Sequence, residues 1–149
     1  MSVARLRDYR GPALFSYGFR PFFFFGSIYA GAAMLVCVAA CLTGLINWGL
    51  ALIVGALLAR EVGRSMKRRN LPVHYPLIAA AGYMGLLVFH GGLSGSAPLS
   101  ATTLAGARKV LPESAVALLG DGIPLDQTLF SPLNLFVTGG LVVILPVLF

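Results

Sequence analysis

Acid is almost absent from this chain. Of its 149 residues, five are Asp or Glu, two are His, two are Cys and one is Trp. The five carboxylates (Asp8, Glu61, Glu113, Asp121 and Asp126) include no close pair for general acid–base work. His74 and His90 stand 16 residues apart, about 24 Å if one helix joins them, too far to share a metal within it. Cys37 and Cys41 fall on one face of one helix, where a crosslink between consecutive turns gains nothing. They read as small apolar residues packed among neighbours, and a lone CxxxC is a weak metal signal. Without a nucleophile–base pair, paired carboxylates or a ligand cluster, the residues point away from an enzyme and imply no metal and no cofactor.

Charge of either sign is also scarce. Charged residues make up 11% of the chain and hydrophobic residues 58%. An ordinary soluble domain carries about 25% charged residues. The mean hydropathy of +0.87 excludes that class and predicts a multi-span membrane protein or a piece of one. The net charge of +6 is unevenly placed. Residues 1–20 carry Arg5, Arg7, Arg10 and Arg20 against Asp8, and residues 60–74 carry Arg60, Arg64, Lys67, Arg68 and Arg69 against Glu61. Residues 90–131 are slightly acidic. Two basic segments and one acidic segment predict cytoplasmic and external loops under the positive-inside rule, with the N-terminus cytoplasmic in a bacterial inner membrane. The basic clusters flank apolar runs and no nucleic-acid fold signature accompanies them, so no nucleic-acid partner is expected.

The apolar runs set the organisation. Residues 1–21 read as a basic cytoplasmic and interfacial segment, with Phe15, Tyr17 and Phe19 at headgroup level and Arg20 snorkelling. Phe22–Gly44 is long enough to span a hydrocarbon core of about 30 Å. Its Gly26, Ser27, Gly31, Ala32 and Ala33 predict a small-residue packing face. Leu45–Ala59 is short for a crossing, about 22 Å as a helix, and reads either as the second arm of a hairpin over 22–59 or as a re-entrant half-helix. Asn47 at its start can cap it. Residues 60–74 read as a basic cytoplasmic loop that sets topology and meets anionic lipid. Residues 75–100 form a third span, 101–131 an external loop with short helices broken at Pro112, and 132–149 a last span. The chain stops at Phe149 inside an apolar run, which predicts truncation from a longer protein.

The stretch that carries the most information is His90–Ser100, HGGLSGSAPLS, at the end of the third apolar run. A membrane tolerates broken helix only where the freed backbone lines a cavity or is buried in protein. Glycine allows close backbone approach to a ligand, and serine hydroxyls can donate to a carboxylate. Composition alone leaves a plain flexible loop as the competing reading.

Three stretches carry a family resemblance: NWGLALIVGALLAREV (Asn47–Val62), VHYPLIAAAGYMGLLVFHGGLSGSAPL (Val73–Leu99) and IPLDQTLFSPLNL (Ile123–Leu135). Over about residues 45–149 the chain resembles the short-chain fatty acid transporter family of the AtoE type. Residues 12–44, with GFRPFF (Gly18–Phe23), resemble instead the opening of the NnrS family, membrane proteins associated with haem, copper and nitric oxide stress. The first resemblance implies an all-α integral membrane protein of three to four transmembrane or re-entrant helices, a fragment of a larger ion- or proton-coupled carrier. Its substrate would be a small monocarboxylate such as butyrate or acetoacetate, its surroundings membrane lipid, and its partner, where a chain this short works at all, a second copy.

The substrate-binding candidates follow. Backbone and hydroxyls at Gly91, Gly92, Ser94, Gly95 and Ser96 are expected to hold the carboxylate, with Phe89 and Leu93 against the tail. Imidazole changes charge near neutrality, which makes His90 the candidate for proton coupling. Asn47, Ser131 and Asn134, polar groups at helix starts, are expected to converge on the same cavity. Two other readings remain open: an NnrS-like haem or copper protein, and a non-functional remnant or packing subunit.

Overall fold

A computed structural model describes residues 19–149, with side chains from Phe22 onward. The basic N-terminal segment and most of the interfacial aromatic stretch lie outside the described residues. All regular structure among the described residues is helical: α1 (Phe19–Ile46), α2 (Trp48–Arg68), α3 (Tyr75–Tyr83), α4 (Gly85–Val88), α5 (Ser96–Ala101), α6 (Leu104–Ala107), α7 (Glu113–Val116) and α8 (Pro132–Val147). A 3-10 turn, Phe89–Gly91, follows α4 directly.

Two stretches are long and apolar enough to cross a membrane, Phe22–Ile46 and Tyr75–Ala101, with mean hydropathies of 2.1 and 1.5. Helix α8, at 16 residues, is a shorter apolar helix. Its start is written locally: Ser131 Oγ accepts from Asn134 N–H at 3.2 Å, and Pro132 occupies the first turn, where its missing N–H costs nothing.

Helix α1 lies at the centre and packs on α2, α3, α4 and α8. Small residues make these contacts. On α2, Ala51, Gly55, Ala59 and Gly63 recur every four residues and are all buried. That spacing puts them on one face. A Cβ on Gly55 would overlap the Gly82 carbonyl oxygen, and one on Gly82 would lie 2.6 Å from the Gly55 carbonyl oxygen. A Cβ on Gly44 would lie 2.5 Å from the Gly85 carbonyl oxygen. The backbones of α1, α2 and the α3–α4 segment therefore touch directly. Around them Ala33, Val36, Cys37, Cys41, Ile78, Ala81 and Val88 complete the core. Both cysteines are fully buried, as their reading as packing residues requires.

The α1 packing face is part of the expected one: Ala33 is fully buried and Ala32 packs on the core. Gly26 and Gly31 instead have nothing within 4 Å of a Cβ position, and the contact runs on through the C-terminal half to Gly44. The hairpin turns at Asn47, so residues near that turn face α2 and the α3–α4 segment together.

The stretch read as a basic loop over 60–74 is a second correction. Helix α2 continues through Arg68, and only the last residues form the connection. Its buried stripe runs on through Gly63 and Met66, and Glu61 pairs with Arg64 at 3.2 Å and Arg68 at 3.9 Å along the exposed face. The helix stops where Asn70 takes a left-handed φ of 54°. Asn70 N–H donates to Lys67 O at 3.1 Å and Leu71 N–H to Met66 O at 3.0 Å, the bond pattern of a Schellman cap. Pro72 then prevents resumption.

Gly55→Ala should destabilise the protein by about 1–3 kcal/mol, because the added methyl meets backbone that cannot move independently. Gly26→Ala, facing open space, should instead gain up to about 1 kcal/mol of helix propensity. Thermal unfolding of the two variants in detergent distinguishes them: equal shifts would remove the Gly55–Gly82 contact as a constraint.

Candidate functional site

The third apolar segment runs as helix from Tyr75 and ends in the 3-10 turn at Phe89–Gly91. Gly92 is extended (φ −101°, ψ −176°), as is Gly95, and helix resumes at Ser96. The break lies within the stretch that the sequence marks.

Each side of the break is fastened to another helix. On the α1–α2 side, Leu93 N–H donates to Leu45 O at 2.7 Å, and Trp48 N–H donates to Ser94 Oγ at 3.0 Å. Asn47 Oδ1 accepts from Gly49 N–H at 2.9 Å and Leu50 N–H at 3.3 Å. Asn47 and Ser94 together cap the first three N–H groups of α2, donors that every helix start leaves unpaired. On the α8 side, Asn134 Nδ2 donates to Gly91 O at 3.1 Å and to Leu129 O at 2.6 Å. Asn134 Oδ1 accepts from Thr138 Oγ1 at 3.0 Å, and Ser131 Oγ donates to Thr128 O at 2.8 Å. A Cβ on Gly91 would overlap the Thr138 hydroxyl and lie 2.6 Å from Asn134 Oδ1, so α8 seats directly on backbone.

Beside this junction lies a cavity of about 350 Å3, lined by Leu45, Gly91, Gly92, Leu93, Thr138 and Val142 among others. That falls within the size range of small-molecule sites, roughly 300–1,000 Å3. Its walls are apolar apart from backbone and the Thr138 hydroxyl. A second cavity, about 470 Å3, opens near Phe22, Phe25, Tyr29 and Val73. Tyr29 lies 16 residues before Leu45 on α1, about 24 Å away, so it is a separate place. The Tyr29 hydroxyl there already donates to His74 O at 2.9 Å.

The expected site residues divide into two groups. Ser94, within the break, and Asn134, from α8, are bonded framework there. Asn47 and Ser131 bond only within their own helix starts, and none of the four lines the cavity. Gly91 and Gly92 line the cavity. Gly95 is buried, with no room for a Cβ beside the His90 carbonyl. Ser96 and His90 are exposed, and their side chains form no hydrogen bond to another described residue. The His90 ring instead lies on Phe89, with centroids 3.9 Å apart. Thr138 went unrecognised in the sequence. It lies on the same helix face as Asn134 four residues earlier, a spacing that signals the pair once Asn134 is suspected.

A broken apolar segment clamped between helices, beside a cavity of ligand size, is an architecture of membrane transport proteins. Comparison with known proteins agrees. The family model for short-chain fatty acid transporters matches residues 25–149, and the chain belongs to that family. A relative from Escherichia coli, whose name points to short-chain fatty acid transport, is 41% identical over 113 residues, covering 76% of this chain and 23% of that protein. A relative from Haemophilus influenzae with the same name is 38% identical over 119 residues, covering 78% and 25%. The chain thus spans about a quarter of the length of these relatives. No solved structure matches it. The family is one of transporters, not enzymes, and places the chain in a membrane. The match begins twenty residues before the point where the motifs carry the resemblance, so residues 25–44 fall within it.

Asn134→Ala should leave Gly91 O and Leu129 O without their donor and cost about 1–3 kcal/mol. Asn47→Ala should cost about 1 kcal/mol as a lost cap. Hydrogen exchange would separate them: the first should speed exchange of amides in 89–95, the second those at the start of α2. Unchanged exchange around Gly91 in the Asn134 variant would dismiss the latch.

Proposed function

We propose that the chain supplies a substrate-binding part of an ion- or proton-coupled carrier for short-chain fatty acids in the bacterial inner membrane. The carrying observation is the cavity beside the Gly91–Gly95 break, held between α1, α2 and α8. A short-chain fatty acid is a carboxylate on a small apolar tail. The tail lies against Leu45, Leu93 and Val142. Ser96 and His90, exposed at the two ends of the break and outside the lining of the cavity itself, offer donors to the carboxylate, as does the hydroxyl hydrogen of Ser94, whose oxygen alone is engaged. Gly91, Gly92 and Gly95 allow the backbone to come close. Asn47, Ser94, Ser131 and Asn134 are positioning residues, and His90 links binding to protonation. The basic ends face the cytoplasm, and α1, the broken segment and α8 cross or re-enter the bilayer with α2 as the partner arm of α1. Full alternating access needs two opposed halves, so the chain works with further carrier segments or a second copy.

Radiolabelled butyrate and acetoacetate uptake into proteoliposomes, with an imposed proton or sodium gradient, tests the reading. Ser96→Ala should cut uptake roughly tenfold or more, the worth of one hydrogen bond to a charged group, with insertion unchanged. Uptake equal to that of the unaltered chain would remove Ser96 from the site. Inserted protein with no gradient-dependent uptake would leave family membership without transport by this chain alone.

A further inference from the structure

The outward face of α2 changes character within one turn. Leu50, Ile53 and Leu57 are exposed on the side opposite the buried Ala51–Gly63 stripe. At 100° per residue, Glu61, Arg64 and Arg68 continue that same exposed strip. Arg64, Lys67 and Arg68 together line a shallow cleft, and Arg60 and Arg69 flank it. Five cations here face one acid, Glu61, which touches Arg64 and Arg68. All these charges are exposed, and the helix beneath them is rigidly ended by its Schellman cap.

The antiparallel hairpin that turns at Asn47 brings residues equally distant from the turn to the same level. Arg60–Arg68 therefore stand beside the first half of the apolar α1 segment Phe22–Ile46. Phe22 and Phe23 are exposed at this end, and the Tyr29–His74 bond ties it together. Aromatic residues at one helix end beside snorkelling cations mark the headgroup layer. From Trp48 to Ala59 the uncharged part of α2 covers only about 18 Å, well short of a hydrocarbon core of about 30 Å. The cations must then reach along the helix to anionic groups at the edge of the bilayer.

We propose that Arg64, Lys67 and Arg68 form a binding face for anionic phospholipid headgroups, with phosphate held by the guanidinium groups and Glu61 tempering the attraction. The face fixes the depth of α2 and, through the Gly55–Gly82 contact, the depth of the broken segment.

The test titrates the whole chain in nonionic detergent with phosphatidylglycerol or phosphatidylcholine and counts bound lipid by native mass spectrometry. Phosphatidylglycerol should bind in preference to phosphatidylcholine. Arg64→Gln should weaken it roughly fivefold, and Arg64→Gln/Lys67→Gln/Arg68→Gln on the order of a hundredfold. Glu61→Gln should strengthen it, and Arg108→Gln/Lys109→Gln, outside this face, should leave it unchanged. Helicity by circular dichroism checks the triple variant, and the single variant decides where that one misfolds. Equal binding of the two lipids, full binding by the glutamine variants, or displacement by millimolar inorganic phosphate would overturn the proposal.

Discussion

Backbone-to-backbone contact between helices is the constraint on which the rest of this structure depends. In lipid, helices gain nothing by burying apolar side chains against each other, because the surrounding tails are equally apolar. What remains is close packing. Gly55 against Gly82 and Gly44 against Gly85 bring three helical segments together at distances no side chain permits. The exposed faces, by contrast, carry Phe22, Leu35, Phe136 and Val143, large side chains of the kind that lipid accepts. Small residues inside and bulky ones outside invert the usual arrangement of a soluble core.

That packing makes the break in the third segment possible. An unwound stretch exposes N–H and C=O groups that a bilayer cannot satisfy. Here the freed Leu93 N–H and Gly91 C=O find partners on neighbours already in contact, Leu45 O and the Asn134 amide, and the Ser94 hydroxyl in turn accepts from Trp48 N–H. Among the described residues no buried side-chain nitrogen or oxygen lacks a partner. The broken segment is therefore held in place from two sides.

Much of this was legible from residue types. The break was readable in GGLSGS, the start of α8 in Ser131-Pro132, and the hairpin turn in Asn47. The α2 terminus was also written in the sequence, in Asn70-Leu71-Pro72, but five cations in a row of polar residues suggested a loop and masked it. Charge density does not end a helix when Glu61 sits three residues before Arg64 and the buried stripe continues beneath. The choice of packing face was less accessible. Gly26 and Gly31 and the Ala33–Gly44 half both offer small residues on α1, and which half meets partners depends on where the hairpin turns. Thr138 was invisible because a lone threonine in an apolar helix carries no local signal, and its role arises only from the placement of Asn134 against Gly91.

The same accounting of polar groups bears on the site. Of the residues that chemistry alone singles out, Asn134 and Ser131 have their hydrogen-bonding groups engaged, and the oxygens of Asn47 and Ser94 cap α2. A substrate competing for them would have to break the contacts that hold the cavity's shape. A carboxylate brought into an apolar site needs donors that the fold does not require for itself, since an unpaired buried charge is costly. In this stretch the Ser96 hydroxyl, the His90 ring and the hydrogen of the Ser94 hydroxyl, whose oxygen alone is engaged, are groups the fold leaves unused. The framework contacts of the segment thus fall on Gly91, Leu93 and Ser94, while the side chains of His90 and Ser96 at its two ends make none. The division lets the fold hold the segment without drawing on those side chains, so that the cavity's shape depends on Leu45, Trp48 and Asn134 instead.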